Sequence, residues 1–288
     1  MQHLKIFIEL TRLNKPIGFM LLFWPCSWGL AYAFYFNQNV SLFIYYLTLF
    51  FFGSLLMRSA GCIVNDIVDK DFDKKVKRTK KRPLASGKIT VKQSLIYVVI
   101  LCLMAFLILI QFNFFTILLG MGSMILAFTY PYMKRFTYWP QLFLGLTFNW
   151  GIIMAWASIN NEINVNIMLL YLAAIFWTLG YDTIYGLQDM SEDEIIGLKS
   201  TSIKFKNNIK KFVTISYLVS LTTIIIFLKP HFGFNVFSIL IFLFGLTFVY
   251  QIQKFKTKDP KSCLAAFKFN NVSGLLLFIA IISINFQQ

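Results

Sequence analysis

The chain has 288 residues, of which 58% are hydrophobic, 18% aromatic and only 14% charged. A soluble domain carries about a quarter charged residues, so this composition excludes soluble folds; its apolar content excludes disorder, and 15 Gly, 7 Pro and 4 Cys exclude a collagen-like or disulfide-stapled chain. The 27 basic against 12 acidic residues give a net charge of +15, which alone fits nucleic acid, anionic lipid or an anionic substrate.

Residues 1–15 carry Lys5, Arg12 and Lys15 and no cleavable signal pattern. Uncharged runs follow at 16–57 and 93–133, each twice the roughly 20 residues that one membrane span needs. They break near Asn37-Gln38-Asn39 and Gln111-Phe112-Asn113. With the later runs at 136–161, 163–181, 212–228, 232–253 and 269–288, nine spans are predicted. They cover 16–36, 42–64, 94–111, 114–132, 139–158, 165–187, 211–228, 235–253 and 269–286. Alternating ten-residue segments of a β-barrel are absent. The predicted fold is an all-α integral membrane protein: a single domain, 1–288, with nine transmembrane helices in one bundle around a central cavity opening near the cytoplasmic face.

Of the 27 basic residues, 25 fall in alternate inter-span segments. The positive-inside rule then places the N-terminus in the cytoplasm and the C-terminus in the periplasm of a bacterial inner membrane. Topology explains most of the charge, and no nucleic-acid partner is needed. Cys26, Cys62, Cys102 and Cys263 form no metal pair. His3 and His231 fall on opposite sides, against zinc, haem or a Ser-His-Asp triad.

Nine of the twelve acids lie in two clusters, Asp66–Asp73 and Asp182–Glu194, each ending an even-numbered span. Asn65, Asp69 and Asp73 stand four apart and share a helical face, as do Asp189 and Asp193. Charges of one sign so close call for a cation, and carboxylates without His or Cys suit Mg²⁺. Asp182 lies two turns before Asp189. The recurrence hints at two weakly repeated halves, about 16–132 and 139–286.

The adjoining run 74–82 is lysine-rich, and an anionic lipid surface accounts for many of its charges. Arg78 and Arg82 are better suited to direct phosphate contact, because a guanidinium fork matches phosphate oxygens. Arg58 is the lone basic residue inside a span, where a charge costs roughly 2.5–3.5 kcal/mol. Its expected partner is an anionic substrate or an acid, with Asp182 the specific expectation. Acids, cations and an apolar bundle together suit a molecule with a diphosphate head and a lipid tail.

Asn65-Asp66-x-x-Asp69-x-x-x-Asp73, followed by Arg78-Thr79-x-x-Arg82-Pro83, resembles the first motif of UbiA-type intramembrane prenyltransferases. Tyr181-Asp182-Thr183-x-Tyr185 with Asp189-x-x-x-Asp193 resembles the second. Arg12-Leu13-Asn14-Lys15-Pro16, Met57-Arg58-Ser59-Ala60-Gly61, Tyr130-Pro131-Tyr132-Met133-Lys134-Arg135 and Asn270-Asn271 resemble the 4-hydroxybenzoate polyprenyltransferase branch. The resemblance implies transfer of a polyprenyl group from its diphosphate to 4-hydroxybenzoate, early in ubiquinone synthesis. It assigns Asn65, Asp69, Asp73, Asp189 and Asp193 to Mg²⁺ and diphosphate, and Lys134 and Arg135 to phosphate or acceptor. Arg58 and Arg135 are the expected carboxylate ligands. Haem, a naphthoate, homogentisate or a chlorin are the alternative acceptors; a cation transporter is the alternative of another class, although neither cluster marks a path across the membrane.

Overall fold

A computed structural model describes residues 2–286. Among them, nine helical segments are long and apolar enough to cross a membrane, and the regular structure is all helical. A short helix α1 (Gln2–Thr11) precedes them and buries Ile6 and Leu10 in a small cluster with Leu56, Ala60 and Ile63. It ends at Arg12, whose left-handed φ of 55° reverses the chain.

The spans are α2 (Ile17–Asn37), α3 (Val40–Val68), α5 (Val91–Leu109), α6 (Phe114–Thr129) continued through a 3₁₀ turn into α7 (Met133–Phe136), and α8 (Pro140–Asn149) with α9 (Gly151–Asn160). Then follow α10 (Val165–Gly186), α13 (Ile209–Phe227), α14 (Val236–Lys254) and α15 (Pro260–Ser283). Short helices α4 (Lys70–Asp73), α11 (Met190–Ile195) and α12 (Thr201–Lys204) lie between spans.

Every span that starts on the face opposite the acidic clusters is capped by asparagine. Asn39, Asn113, Asn164 and Asn235 each accept a backbone N–H of the first turn, at 2.8–3.0 Å. A neutral cap satisfies the free donors of a helix start without adding charge. The opposite face uses Thr90 and Asp259 in the same role for α5 and α15.

The ninth span begins at Pro260, nine residues before the expected 269. Lys261 and Lys268 end the uncharged run, yet both are exposed near the start of α15, where a charge is cheap. The fifth span breaks at Trp150, beside a close crossing: a Cβ added to Gly29 of α2 would stand 2.5 Å from the Ile152 carbonyl oxygen. The remaining boundaries lie within about four residues of those expected, the usual scatter of helix ends.

α2 and α10 are the most enclosed spans, with about two-thirds or more of their residues buried. α2 packs on α3, α9 and α15, and α10 on α8, α13 and α15. A buried polar chain ties the second group: Trp177 donates to Asn270, while Asn270 and Tyr217 both donate to Gln251. These two spans therefore form a rigid scaffold. Each lies close to one acidic motif.

Candidate active site

The first motif keeps its register through a break in the helix. α3 stops at Val68, but the Asp69 N–H still donates to Asn65 and the Asp73 N–H to Asp69, at 2.9 and 2.8 Å. The second motif repeats this device beyond α10, where the Asp193 N–H donates to Asp189 at 2.8 Å. The expected four-residue spacing thus survives although neither cluster lies on one continuous helix.

The loop after α4 joins the two motifs. Arg78 forks onto both carboxylate oxygens of Asp189, with Nε at 2.7 Å from Oδ1, and lies over the Tyr185 ring. The Lys77 N–H donates to Glu192 at 2.7 Å. Arg82 reaches back, 2.7 Å from Asp73 Oδ2 and 3.1 Å from Asp66 Oδ1. From the end of the fourth span Lys134 pairs with Asp69. Arg135 donates to the Val68 carbonyl at 2.7 Å, stands 3.9 Å from Asp69 and lies over Phe72 and Tyr132.

Asp69 and Asp73 are only 4% and 6% exposed, so these pairs compensate charges that would otherwise be costly to bury. Asp73 is held above the usual carboxylate range by burial, against the opposing pull of Arg82. Asp193 is pushed up to about 6, chiefly by burial and next by Asp189; Lys134 and Arg78 oppose this. Arg78 is raised as well, which in its case favours the charged form: desolvation opposes this, but its bond to Asp189 lifts it above the ordinary arginine range.

Among the described residues, no three His, Cys, Asp or Glu side chains form a metal cluster by themselves. Three of the expected ligands are instead each engaged by a cation: Asp69 by Lys134, Asp73 by Arg82 and Asp189 by Arg78. The donor set nevertheless fits a hard cation. All its side-chain donors are oxygens, and the buried Asp69 Oδ1 accepts no hydrogen bond.

Arg58 and Asp182 lie deeper in the bundle. They are charge neighbours without an ion pair within 4.0 Å. The Arg58 guanidinium instead lies 5.4 Å from the Phe148 ring centre, and its buried Nε has no hydrogen-bond partner. Gly18 leaves room for it: a Cβ there would come within 3.1 Å of that Nε.

Arg58, Asn65 and Tyr130 line one end of an otherwise apolar cavity of about 590 Å³. It lies between α2, α3, α5, α6, α8 and α9, with no lining residue from α10 or α13–α15. Leu103 and Phe106 of α5, and Met121 and Phe128 of α6, line it and are exposed.

Two acidic motifs joined by Arg78, beside a cavity that Arg58 and Asn65 line, agree with the comparisons with known proteins. Residues 22–278 match the UbiA prenyltransferase family. The chain belongs to that family. It is 40% identical over 285 residues to the mitochondrial 4-hydroxybenzoate polyprenyltransferase of Caenorhabditis elegans, covering 98% of this chain and 79% of that one. It is also 40% identical to the 4-hydroxybenzoate octaprenyltransferase of Francisella tularensis subsp. novicida, over 96% of both chains. In fold it is similar to a UbiA homologue from Aeropyrum pernix K1, with a TM-score of 0.76 at 21% identity, covering 91% of this chain and 96% of the other. The UbiA homologue from Archaeoglobus fulgidus bound to DMAPP and Mg²⁺ gives 0.71 at 20%, covering 96% and 99%.

Sequence reasoning passed over three parts of this UbiA site. Asp66 stands one residue off the acidic face, and Arg12 was read only as part of a motif; the two pair at 2.6 Å. Tyr130 and Glu192 gave no periodic signal. The lone arginine before the first span was the available clue to Arg12.

Proposed function

We propose that this UbiA-family protein transfers a polyprenyl group from a polyprenyl diphosphate to the ring carbon ortho to the hydroxyl of 4-hydroxybenzoate, releasing diphosphate. The observation that carries the reading is the set of paired cations and carboxylates that adjoins, through Asn65, a largely apolar cavity lined by Arg58 with its unpaired Nε. The names of its 38–40% identical relatives support this acceptor over haem, a naphthoate or homogentisate.

The apolar cavity takes the prenyl tail, and Arg78, Arg82 and Lys134 exchange carboxylate oxygens for diphosphate oxygens. Asn65, Asp69, Asp73, Asp189 and Asp193 would hold Mg²⁺, which when bound supplies positive charge for the leaving diphosphate. Breaking the allylic C–O bond leaves a cation that the dry cavity shields from water. The electron-rich ring carbon attacks it, and loss of the ring proton restores aromaticity. Arg58 is placed to meet the acceptor carboxylate, whereas Arg135 is already engaged by the Val68 carbonyl and Asp69. Asp182 balances Arg58 through space.

We further read the chain as one domain of two weakly repeated halves, 16–132 and 139–286, each contributing one motif. It lies in a bacterial inner membrane with the site and the N-terminus on the cytoplasmic side and the C-terminus in the periplasm. The test is purified protein in bilayers, supplied with a polyprenyl diphosphate and labelled 4-hydroxybenzoate. A lipid-soluble labelled product is expected; incorporation of homogentisate or a naphthoate in its place would overturn the acceptor assignment.

A further inference from the structure

One acid of the first motif has no place in the reaction just described. Asp66 is 1% exposed, more deeply buried than Asp69 or Asp73. Its Oδ1 accepts from two arginines that lie far apart in sequence: Arg12 at 2.6 Å and Arg82 at 3.1 Å. Arg82 simultaneously holds Asp73 at 2.7 Å, so two arginines and two carboxylates form one linked, neutral group. Arg12 occupies the left-handed region, with φ of 55°, a conformation that a residue with a side chain rarely adopts without a compensating interaction. The Lys15 N–H closes the same turn onto the Arg12 carbonyl at 2.8 Å.

We propose that Asp66, fixed by Arg12, is a positioning residue that keeps the Arg82 guanidinium at the diphosphate site when Asp73 turns to other partners. The proposal rests on the functional reading above. Asp73 cannot give its full charge to a substrate complex and also anchor Arg82. Asp66 is the second anchor: it stands about 100° around the helix from the face of Asn65, Asp69 and Asp73, still reaches Arg82, and is held by a guanidinium from another segment. The N-terminal turn thereby sets the position of a phosphate-binding arginine 70 residues later in the chain.

The test is a double-mutant cycle on binding of an unreactive prenyl thiodiphosphate to the full-length protein in bilayer discs, measured by calorimetry without the acceptor. Asp66→Asn should weaken binding about tenfold, as should Arg12→Ala, whereas Arg12→Lys should recover most of the loss. In an Arg82→Ala background, Asp66→Asn should add less than about twofold, because its target is gone. Independent, additive losses would overturn the proposal, as would wild-type binding by Asp66→Asn. Should Asp66→Asn not accumulate in membranes, the Arg12 pair tested with and without Arg82→Ala decides the matter by the same criterion. Wild-type turnover of 4-hydroxybenzoate, measured alongside, tests the functional reading separately.

Discussion

Arg78 and Asp189, 111 residues apart, meet through two hydrogen bonds that join the two acidic motifs. Only a planar fork can make both bonds while remaining suited to a phosphate. Arg78→Lys should therefore lose kcat/KM almost as severely as Arg78→Ala, by about tenfold to a hundredfold for a charged hydrogen bond worth roughly 1.5–3 kcal/mol. Lys80→Ala removes an exposed cation of the same loop and should stay within about twofold, as exposed charges contribute little. Steady-state kinetics on the three variants decide the point. Near-wild-type turnover by Arg78→Lys alongside a loss in Lys80→Ala would show that only bulk charge matters.

Asp69 and Asp189 belong to different motifs and are each held by a cation. Loss of either charge should abolish transfer. Asp69→Asn and Asp189→Asn are expected to accumulate in membranes at normal levels while product formation falls below detection. Treatment of the wild type with EDTA should silence it equally, and added Mg²⁺ should restore it. Radiolabel transfer to the lipid phase measures all three, and metal-independent turnover would refute the role given to the carboxylates.

Much of this was legible because membrane insertion writes itself into sequence as gaps between charges. The 42- and 41-residue runs had to contain two spans each, and the asparagines at their breaks proved to be helix caps. The same rule misplaced the start of α15, since Lys268, in its third turn, ends an uncharged run without ending a helix. The i, i+4 pattern found Asn65, Asp69 and Asp73, but turned attention from Asp66, about 100° around the helix. The partners of Arg58 could not be read either. They depend on Gly18 and Phe148, which no local pattern connects.

If all nine candidate spans among the described residues cross, the proposed topology puts the first and last of them on opposite sides of the membrane. A cysteine replacing Lys80 should react with an impermeant maleimide only from the cytoplasmic side. One replacing Phe234, fully exposed in the connection before α14, should react only from the periplasmic side. Three of the four native cysteines are buried, so their background labelling should be low. Labelling of intact cells and inverted vesicles is the measurement; reversed accessibility would invert the orientation.

Asn270 is completely buried and bridges Trp177 to Gln251. Asn270→Ala would leave the indole N–H without its acceptor, at about 1–3 kcal/mol for a buried unsatisfied group. A lower thermal midpoint is expected in detergent. The KM for both substrates should remain near wild type, because the network lies behind α10 and outside the cavity. An unchanged midpoint with impaired KM would instead place Asn270 in the substrate site.

Arg58 offers the sharpest test of acceptor recognition. Its Nε has no hydrogen-bond partner, its guanidinium lies against Phe148, and it lines the same cavity end as Tyr130 and Asn65. If it meets the aromatic carboxylate there, Arg58→Gln should raise the KM for 4-hydroxybenzoate about tenfold or more, a loss of at least roughly 1.4 kcal/mol. The KM for the prenyl diphosphate should move less than about twofold, since its phosphates are held by other cations. A neutral acceptor separates charge from shape. The wild type should strongly prefer 4-hydroxybenzoate to 4-hydroxybenzamide, and Arg58→Gln should lose that preference because its amide serves both acceptors equally. A variant that retained the full preference would move carboxylate recognition to Arg135, whose Nε is also buried without a partner.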